Sequence, residues 1–462
     1  MDRVLLTHSN HIYNDSKQVE KMQPYPPLQP LLAASALRNM GIAVDFCDVT
    51  FDEPEETFGR LLHMCSPQLV VVCEDDFNFL SKMCLSRNRE VAFAMAEAAK
   101  KTGATVAVHG PDSSDHVDAY LKAGFDYVLM GEVEETIVEL ALQKPPSDIA
   151  GLAYYCGETK RIRYTQPRPL RTNLDLLPRP AWDLIDIDQY RQAWLAAHGY
   201  FSLNMVSSRG CPFRCNWCAK PTYGDRYHVR SAWLVAQDML ELKTRFRPDH
   251  IWFADDIFAL SGAWAFEFAN AVEALDARIP FKMQSRCDLM IRDTVSALKR
   301  AGCVEVWMGA ESGSQRVLDA MDKGIRVEQI YRARKHLANH GIRACFFLQF
   351  GYPGEGWEEI MATVQMVRDT KPDDIGVSVS YPLPGTKFFN LVSAQIGKKA
   401  NWANSGELAM MFQGTYPTAF YRGLADALRL EVRNTTEMDG LRNAWNRVYQ
   451  LKIESELNGA VA

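Results

Sequence analysis

Short apolar runs alternate with amphipathic segments over the first 145 residues. Apolar runs predict strands, and apolar positions that recur every three or four residues predict helices. The predicted strands are Val4–Thr7, Val44–Cys47, Leu69–Cys73, Thr105–Val108 and Tyr127–Met130. The predicted helices are Leu28–Met40, Glu90–Lys101, Asp115–Ala123 and Glu132–Leu142. This alternation indicates an α/β domain with an open parallel sheet that helices cover on both faces.

A second alternation begins near residue 200 and is more regular. Its predicted strands are Leu203–Ser207, His250–Phe253, Phe281–Gln284, Val304–Met308, Ala344–Phe350 and Ile375–Ser380. Its predicted helices are Ala232–Arg245, Trp264–Leu275, Arg292–Ala301, Glu328–Asn339 and Trp357–Thr370. Six such units predict a partial, six-stranded β/α (TIM-like) barrel. Functional residues in barrels collect at the carboxyl ends of the strands.

The segments between and after these two series complete the predicted organisation. Residues 146–195 contain four prolines after a predicted hairpin, Gly151–Tyr164, and we expect an extended connector there. The predicted domains are 1–145 for the first sheet, 146–195 for the connector, 196–390 for the barrel and 391–462 for a mainly helical C-terminal segment.

Composition limits the classes of partner. The chain is 47% hydrophobic and 23% charged, and its net charge is −6, which argues against a basic surface for nucleic acid. No apolar run is long enough to span a membrane, and the N-terminal residues resemble neither a secretory signal nor a transit peptide. We therefore expect a cytoplasmic protein with no membrane span and no nucleic-acid partner.

Three of the eleven cysteines lie close together in the segment Ser208–Cys218, here called the cysteine loop, which follows the first barrel strand. They are Cys211, Cys215 and Cys218. A structural zinc site requires four ligands, and no nearby Cys or His supplies the fourth at the usual spacing. Three thiolates on a [4Fe–4S] cluster would leave one iron open to a ligand. The alternatives are a zinc knuckle or three unrelated buried thiols.

The spacing Cys-x3-Cys-x2-Cys resembles the signature of the radical S-adenosylmethionine (radical SAM) superfamily, and Trp217 supplies the aromatic residue usual before the third cysteine. The resemblance implies that the amine and carboxylate of S-adenosylmethionine bind the open iron. It also implies that an electron from the cluster cleaves the sulfonium to give a 5′-deoxyadenosyl radical.

The ends of the later barrel strands resemble the cofactor site of that superfamily. The resemblance implies that Asp255 binds the amine of the cofactor, although the Asp255–Asp256 pair also suits a helix N-cap. An arginine is a natural partner for the carboxylate. We therefore expect the following cofactor-binding residues: Trp217, Asp255, Ser285, Arg286, Glu311 for ribose or amine, and Gly351 beside the adenine. No catalytic side chain is predicted.

The first sheet resembles the Rossmann-like cobalamin-binding domain that precedes the barrel in one branch of this superfamily. The matching segments are Pro26–Leu32 and Tyr127–Thr136. The motif Asp-x-His-x-x-Gly, which ligates cobalt through histidine, does not occur, so we expect cobalamin without that ligand. His109 and His116 do not reproduce the motif, and lone loop histidines are usually surface residues. The alternative is a sheet domain that kept its fold but lost its cobalamin. The acidic loop at residues 74–76 keeps this alternative open.

The C-terminal segments Met411–Tyr416 and Phe420–Arg422 resemble the anaerobic magnesium-protoporphyrin monomethyl ester cyclase-like, class B methyltransferase branch. Aromatic and Met side chains in this region suit either a large apolar substrate or an ordinary core.

The functional hypothesis is a cobalamin-dependent radical SAM enzyme that methylates an unactivated carbon of a small molecule and receives electrons from flavodoxin or ferredoxin. One alternative is a radical oxidative cyclase or rearrangement enzyme without methyl transfer. Another is a non-catalytic cobalamin or iron–sulfur sensor. Methylthiolation of RNA is disfavoured, because the tail after residue 440 is mixed in charge rather than basic.

Overall fold

The sequence folds into two units whose segments interleave along the chain. The computed structural model describes residues 1, 3–157, 161–220, 222–433 and 438–459. The first unit consists of Met1–Pro212, Lys220–Asp256 and Asn401–Glu407, and the second of Phe213–Ala219, Ile257–Ala400 and Leu408–Ala462. The four domains expected from the sequence remain a prediction.

The first unit contains a seven-stranded sheet in the order β2-β1-β3-β4-β5-β6-β7. The strands are β1 Arg3–Thr7, β2 Ala43–Cys47, β3 Leu69–Cys73, β4 Thr105–His109, β5 Tyr127–Leu129, β6 Leu152–Tyr155 and β7 Ile162–Tyr164. The first five run parallel, as predicted, and all five residues of the central strand β3 are buried. The last two add the predicted hairpin in antiparallel order, and its residues 158–160 lie outside the described residues.

Eight helices accompany these strands in the described residues. They are α1 Ser16–Lys21, α2 Leu28–Asn39, α3 Pro54–Cys65, α4 Phe79–Lys82, α5 Ser86–Lys101, α6 Pro111–Asp115, α7 Val117–Lys122 and α8 Glu134–Ala141. The helix predicted over Asp115–Ala123 is present as α7, and a separate short helix that was not predicted, α6, precedes it. Pro111 begins a helix one turn earlier, and the non-helical backbone of His116 (φ −125°) separates α6 from α7.

The expectation of an extended connector is wrong in its last part, which forms the helix α9, Ile187–His198. Its buried residues Ile187, Tyr190 and Trp194 follow helical spacing, and Asp186 caps its first turn by accepting from the backbone N–H of Asp188. The prolines upstream obscure this pattern in the sequence.

The second series contains the six predicted strands and a short antiparallel pair. The strands are β8 Ser202–Met205, β9 Ser208–Arg209, β10 His228–Val229, β11 His250–Phe253, β12 Phe281–Ser285, β13 Cys303–Glu311, β14 Arg343–Phe350 and β15 Asp374–Val379. The helices are α10 Ala232–Arg245, α11 Gly262–Ala274, α12 Arg292–Ala301, α13 Gln315–Ala320, α14 Val327–Asn339 and α15 Trp357–Thr370.

Parallel pairing within this series confirms the predicted fold class. In the first unit β8 pairs with β11, and in the second unit β12, β13, β14 and β15 pair in that order. The chain is a mixed α/β protein with an N-terminal parallel sheet, a six-stranded parallel sheet in the second series and a helical C-terminal part. The C-terminal helices are α16 Lys387–Val392, α17 Thr418–Val432 and α18 Met438–Gly459.

No helix in the described part of the chain has both the length and the apolar character that crossing a bilayer requires.

The aromatic residues of the C-terminal segment favour the core alternative. Phe412 belongs to a buried cluster of the second unit, together with Val317, Met321, Tyr352 and Phe388. Buried side chains in such a cluster fill space that a substrate would otherwise occupy.

The glycine before the first cysteine of the loop carries a testable steric constraint. Gly210 has φ +77°, and a Cβ there would overlap the backbone carbonyl oxygen of Arg226. Gly224 has φ +61° but open space around it, so Gly224→Ala measures the backbone cost alone, roughly 1–2 kcal/mol. We expect Gly210→Ala to destabilise the protein by at least about 3 kcal/mol in thermal unfolding followed by circular dichroism. Equal destabilisation by the two substitutions would contradict this account.

Candidate active site

The cysteines of the loop differ from most other cysteines in their accessibility. None of the eleven forms a disulfide bond; Cys211, Cys215 and Cys218 are partly exposed, whereas seven of the other eight are buried. Burial raises the pKa of the Cys287 thiol to about 12, which keeps that sulfur protonated at neutral pH. A metal ligand must be a reachable thiolate, so the loop cysteines form the donor set that suits an iron–sulfur cluster.

The described side chains of the loop are not arranged as a preformed site for a metal ion. In the described ranges, no group of three or more His, Cys, Asp and Glu side chains is arranged to hold a metal ion. The assignment of Cys211, Cys215 and Cys218 as cluster ligands therefore remains a prediction from their spacing and accessibility.

Arg286 lies directly after β12 and is buried. Its Nε donates to Asp288 Oδ1 at 2.9 Å and its Nη2 to Asp288 Oδ2 at 3.2 Å. The guanidinium also donates to the backbone carbonyls of Lys323 (2.9 Å) and Gly324 (3.4 Å), which follow α13. These four hydrogen bonds hold the planar guanidinium of Arg286 in a single orientation.

The same guanidinium contacts the cysteine loop within the second unit. Its Nη1 lies 4.0 Å from Cys215 Sγ, and its central carbon lies 3.7 Å from the centroid of the Phe213 ring. The preceding residue, Ser285, is buried and donates its hydroxyl to the carbonyl of Phe258 at 3.2 Å. Arg286 thus contacts two residues of the loop that are two positions apart.

A buried ion pair stands at the end of β13. Lys323 Nζ donates to Glu311 Oε1 at 2.7 Å, and Glu311 has a left-handed backbone (φ +60°). Burial opposes the charge on Lys323, but the Glu311 carboxylate and the Cys215 sulfur outweigh it and raise the pKa of Lys323. A Cβ on Gly309 would lie 2.5 Å from both bonded atoms, so the pair requires glycine there.

Trp217 lies beside this ion pair. Lys323 Nζ is 5.8 Å from the centroid of its ring. The indole Nε1 of Trp217 is buried and has no hydrogen-bond partner among the described residues. A buried donor without an acceptor is uncommon, and a bound ligand is one way to satisfy it.

The turn after β14 is fixed by a buried carboxyl group. Gly351 has φ +74° and donates its N–H to Glu355 Oε2 at 2.5 Å. Burial raises the pKa of Glu355 to about 8. Glu355 Oε1 and the hydroxyl of Tyr421, both buried, have no hydrogen-bond partner among the described residues.

Asp255 follows β11 in the first unit and is fully buried. It accepts hydrogen bonds from the backbone N–H and the hydroxyl of Ser207 and from the hydroxyl of Ser208. Burial raises its pKa to about 6, although these hydrogen bonds oppose the rise. The N-cap alternative for Asp255–Asp256 is wrong, because the next helix begins at Gly262 and Ser261 caps it.

Buried charges also anchor the start of the cysteine loop in the first unit. Arg209 donates to Glu134, at the first turn of α8, and its Nη1 lies 3.6 Å from Glu132 Oε2. Burial opposes ionisation of Glu134, but Arg209 outweighs it and lowers the pKa of Glu134 to about 2. Gln29 donates to the same carboxylate at 3.1 Å, and Tyr223 donates to Gln29 at 2.9 Å. The first turns of α2 and α8 and the start of the cysteine loop therefore share one polar network.

His109 is not the surface residue that a lone loop histidine usually is. It ends β4, it is fully buried, and its Nε2 lies 2.8 Å from Asp76. Its Nδ1 lies 3.3 Å from the carbonyl of Leu129, so both ring nitrogens have partners. His116 Nε2 lies 3.7 Å from Asp112. Both nitrogens of the His109 imidazole are therefore engaged by other groups of the protein.

The acidic loop after β3 lies where the strand order of the first sheet reverses, the usual position of a ligand in such sheets. Asp75 accepts from the backbone N–H groups of Gln29 and Phe77. Glu74 accepts from the N–H of Ser9 through one oxygen, while its buried Oε2 has no partner among the described residues. This free acceptor suits the amide side chains of a corrin, so the residues fit cobalamin in part.

Several residues of these clusters were missed by sequence reasoning. They are Lys323, Asp288, Glu355, Glu134 and Arg209. Arg209 stands two positions before Cys211, which is the one signal that pointed to it. The others carry no spacing or motif that sets them apart before folding brings them together.

Part of the chain matches a known protein family. Residues 205–367 match the Radical SAM superfamily. This part of the chain is a radical SAM domain. The resemblance based on the cysteine spacing is therefore confirmed.

Curated relatives of this chain include methyltransferases and a cyclase. It is 31% identical over 274 residues to an uncharacterized methyltransferase of Pyrococcus horikoshii, covering 58% of each protein. It is 24% identical to the hopanoid C-3 methylase of Methylococcus capsulatus, covering 80% of this chain and 70% of that protein. It is 23% identical to the anaerobic magnesium-protoporphyrin IX monomethyl ester cyclase of Rubrivivax gelatinosus, covering 57% of this chain and 48% of the cyclase. This chain spans about half the length of the methyltransferase of Pyrococcus horikoshii and of the cyclase.

Two solved structures share the fold of this chain. The radical S-adenosylmethionine methyltransferase TsrM from Kitasatospora setae, with cobalamin and a [4Fe–4S] cluster bound, matches with a TM-score of 0.69 and 19% identity, covering 85% of this chain and 75% of that one. The cobalamin-dependent S-adenosylmethionine radical enzyme OxsB matches with a TM-score of 0.68 and 16% identity, covering 85% and 55%.

Glu355 predicts a pH-dependent stability. Its pKa of about 8 in the folded state exceeds the ordinary 4.5, so this group stabilises the fold most below pH 4.5 and loses that contribution as pH rises to about 8. Glu355→Gln removes the loss. We expect the unfolding temperature of Glu355→Gln relative to the unsubstituted protein to rise between pH 5 and 8, by the equivalent of up to about 1.4 kcal/mol per pH unit.

Glu359→Gln provides the control for this measurement. Glu359 is on the same segment, and its hydrogen bond with Arg316 lowers its pKa, so its contribution is constant above pH 5. Parallel pH profiles for the two variants would refute the assignment of Glu355 as a buried protonated acid.

Proposed function

We propose that the chain is a cobalamin-dependent radical SAM enzyme that methylates an unactivated carbon of a small molecule. The observation that carries the proposal is the set of three accessible cysteines, directly after the first strand of a radical SAM domain. The methyltransferases among the relatives, the hopanoid C-3 methylase in particular, support transfer of a methyl group to carbon.

The proposed cofactor site uses residues at the ends of several strands. Cys211, Cys215 and Cys218 would hold a [4Fe–4S] cluster, which supplies the electron for reductive cleavage of S-adenosylmethionine. Glu311 and Trp217 offer a buried carboxylate and a free indole N–H to the polar groups of that cofactor. The set expected from the sequence also contains Asp255, Ser285, Arg286 and Gly351.

Cobalamin is proposed for the first unit. TsrM and OxsB are both described with cobalamin bound, and the sheet order of this chain reverses beside Glu74, which has a free carboxyl oxygen. Because both nitrogens of His109 have protein partners, that imidazole stays in its network and cobalamin binds without it.

A radical oxidative cyclase without methyl transfer is the second candidate. The relationship to the anaerobic cyclase of Rubrivivax gelatinosus favours it. Either reaction consumes electrons at low potential, so we propose flavodoxin or ferredoxin as the reductant and the cytoplasm as the compartment.

Labelled S-adenosylmethionine distinguishes the two candidates. Anaerobic protein loaded with hydroxocobalamin, reduced and given S-adenosylmethionine with a radioactive methyl group, should transfer label to the protein-bound corrinoid fraction and release 5′-deoxyadenosine. Methyl transfer requires the bound corrinoid to accept the methyl group, whereas the cyclase reaction requires no methyl acceptor. Release of 5′-deoxyadenosine with no label in the corrinoid fraction would favour the cyclase and reject the methyltransferase.

Cysteine substitution tests the cluster. We expect Cys215→Ala to lose the iron–sulfur absorbance and at least about a hundredfold in 5′-deoxyadenosine release, because the cluster loses a ligand that no neighbour replaces. Cys156→Ala is the control, since Cys156 is also partly exposed but lies outside the loop. Retained cleavage in Cys215→Ala, measured with iron and sulfide on the same sample, would disprove the ligand assignment.

A further inference from the structure

All the hydrogen-bond donors of Arg286 are engaged by the protein. A guanidinium has five N–H donors. Five contacts account for them: two with Asp288, one each with the carbonyls of Lys323 and Gly324, and one with the sulfur of Cys215. No donor remains for the carboxylate of a cofactor.

We propose that Arg286 is a positioning residue for Cys215, which it holds in place and whose cluster it makes easier to reduce, and that it does not bind the carboxylate of S-adenosylmethionine. The inference rests on the proposed function, because it assumes that Cys215 ligates a cluster.

Arg286 contacts the cysteine loop at two residues, Phe213 and Cys215. The face of the guanidinium lies against Phe213, 3.7 Å from the ring centroid, and its Nη1 edge faces Cys215. Arginine stacks on an aromatic ring while its edge keeps its hydrogen bonds. Asp288 fixes the opposite edge of the guanidinium. Movement of the cysteine loop would therefore break the contacts of Arg286 with the loop and strain those with Asp288.

Charge determines the effect on reduction. An electron that enters a thiolate-bound cluster adds negative charge, and a buried cation 4.0 Å from one ligand sulfur stabilises the reduced form. Asp288 offsets part of that charge, but it contacts Nε and Nη2, away from the sulfur. Lys323, which is held by Glu311, adds a second buried cation in the same unit.

The cation for the carboxylate then has to come from another residue. Lys323 is the neighbouring buried cation, and its ammonium group has more N–H donors than its bond to Glu311 uses. An experiment can therefore distinguish the roles of Arg286 and Lys323. Only a residue that binds the carboxylate contributes to the difference in affinity between the cofactor with that group and the cofactor without it.

The first experiment measures the reduction potential of the reconstituted protein by a redox titration followed by electron paramagnetic resonance. We expect Arg286→Met to lower the potential by about 59 mV, a tenfold loss in the reduction equilibrium, and Arg286→Lys to lower it by less than half of that. Arg300→Met is the matched control, because Arg300 also pairs with a carboxylate, Glu273, and lies over a ring, Phe266, but on the surface. An unchanged potential in Arg286→Met would overturn the proposal.

The second experiment compares the affinities for S-adenosylmethionine and for decarboxylated S-adenosylmethionine by anaerobic equilibrium dialysis. We expect the ratio of the two affinities in Arg286→Met to stay within threefold of the ratio in the unsubstituted protein. A ratio that falls to about one would show that Arg286 binds the carboxylate and would overturn the proposal.

A double variant and the unsubstituted protein serve as further controls. If Arg286→Met does not assemble a cluster, the double variant Arg286→Met/Asp288→Asn, which leaves no partly buried carboxylate without its cation, carries the same two tests. Failure of the proposed function is separate, because the unsubstituted protein would then bind neither a cluster nor S-adenosylmethionine.

Discussion

The buried ion pair between Arg209 and Glu134 is the constraint on which the cysteine loop depends. Both side chains are almost fully enclosed, and removing one partner of such a pair typically costs 3–5 kcal/mol, because the other charge remains buried. Arg209 stands two residues before Cys211, and Glu134 lies in the first turn of α8. The first unit therefore fixes where the cysteine loop begins through a contact that tolerates little displacement.

The second unit uses the same physical means at the ends of its strands. Glu311 and Lys323 form a buried pair beside Trp217, and the buried Arg286, which pairs with the partly exposed Asp288, lies beside Cys215. Charges enclosed in a low dielectric act strongly and need no reorganisation when a charged cofactor arrives. The hydrogen-bond groups that remain open, such as the indole N–H of Trp217, are the ones that a polar ligand would satisfy.

Local patterns predicted the fold well where burial and periodicity agree. The strand His250–Phe253 and the helix Arg292–Ala301 have the bounds expected from the sequence, because a continuous apolar run and an amphipathic repeat mark them. Helix α9 was missed, since prolines upstream hid its periodicity. Lys323 could not be predicted, because only tertiary folding brings it to Glu311. The spacing of Cys211, Cys215 and Cys218 was enough to predict the radical SAM domain, whereas the partners of Arg286 depend on the loop and on α13 together.

The central claim is that the accessible cysteines hold a [4Fe–4S] cluster in a chain that also binds cobalamin. Quantification of iron, sulfide and corrin on one anaerobic sample, purified with added hydroxocobalamin, tests it most directly. We expect about four iron, about four sulfide and about one corrin per chain. Bound zinc without sulfide, or a full cluster with no corrin, would contradict it.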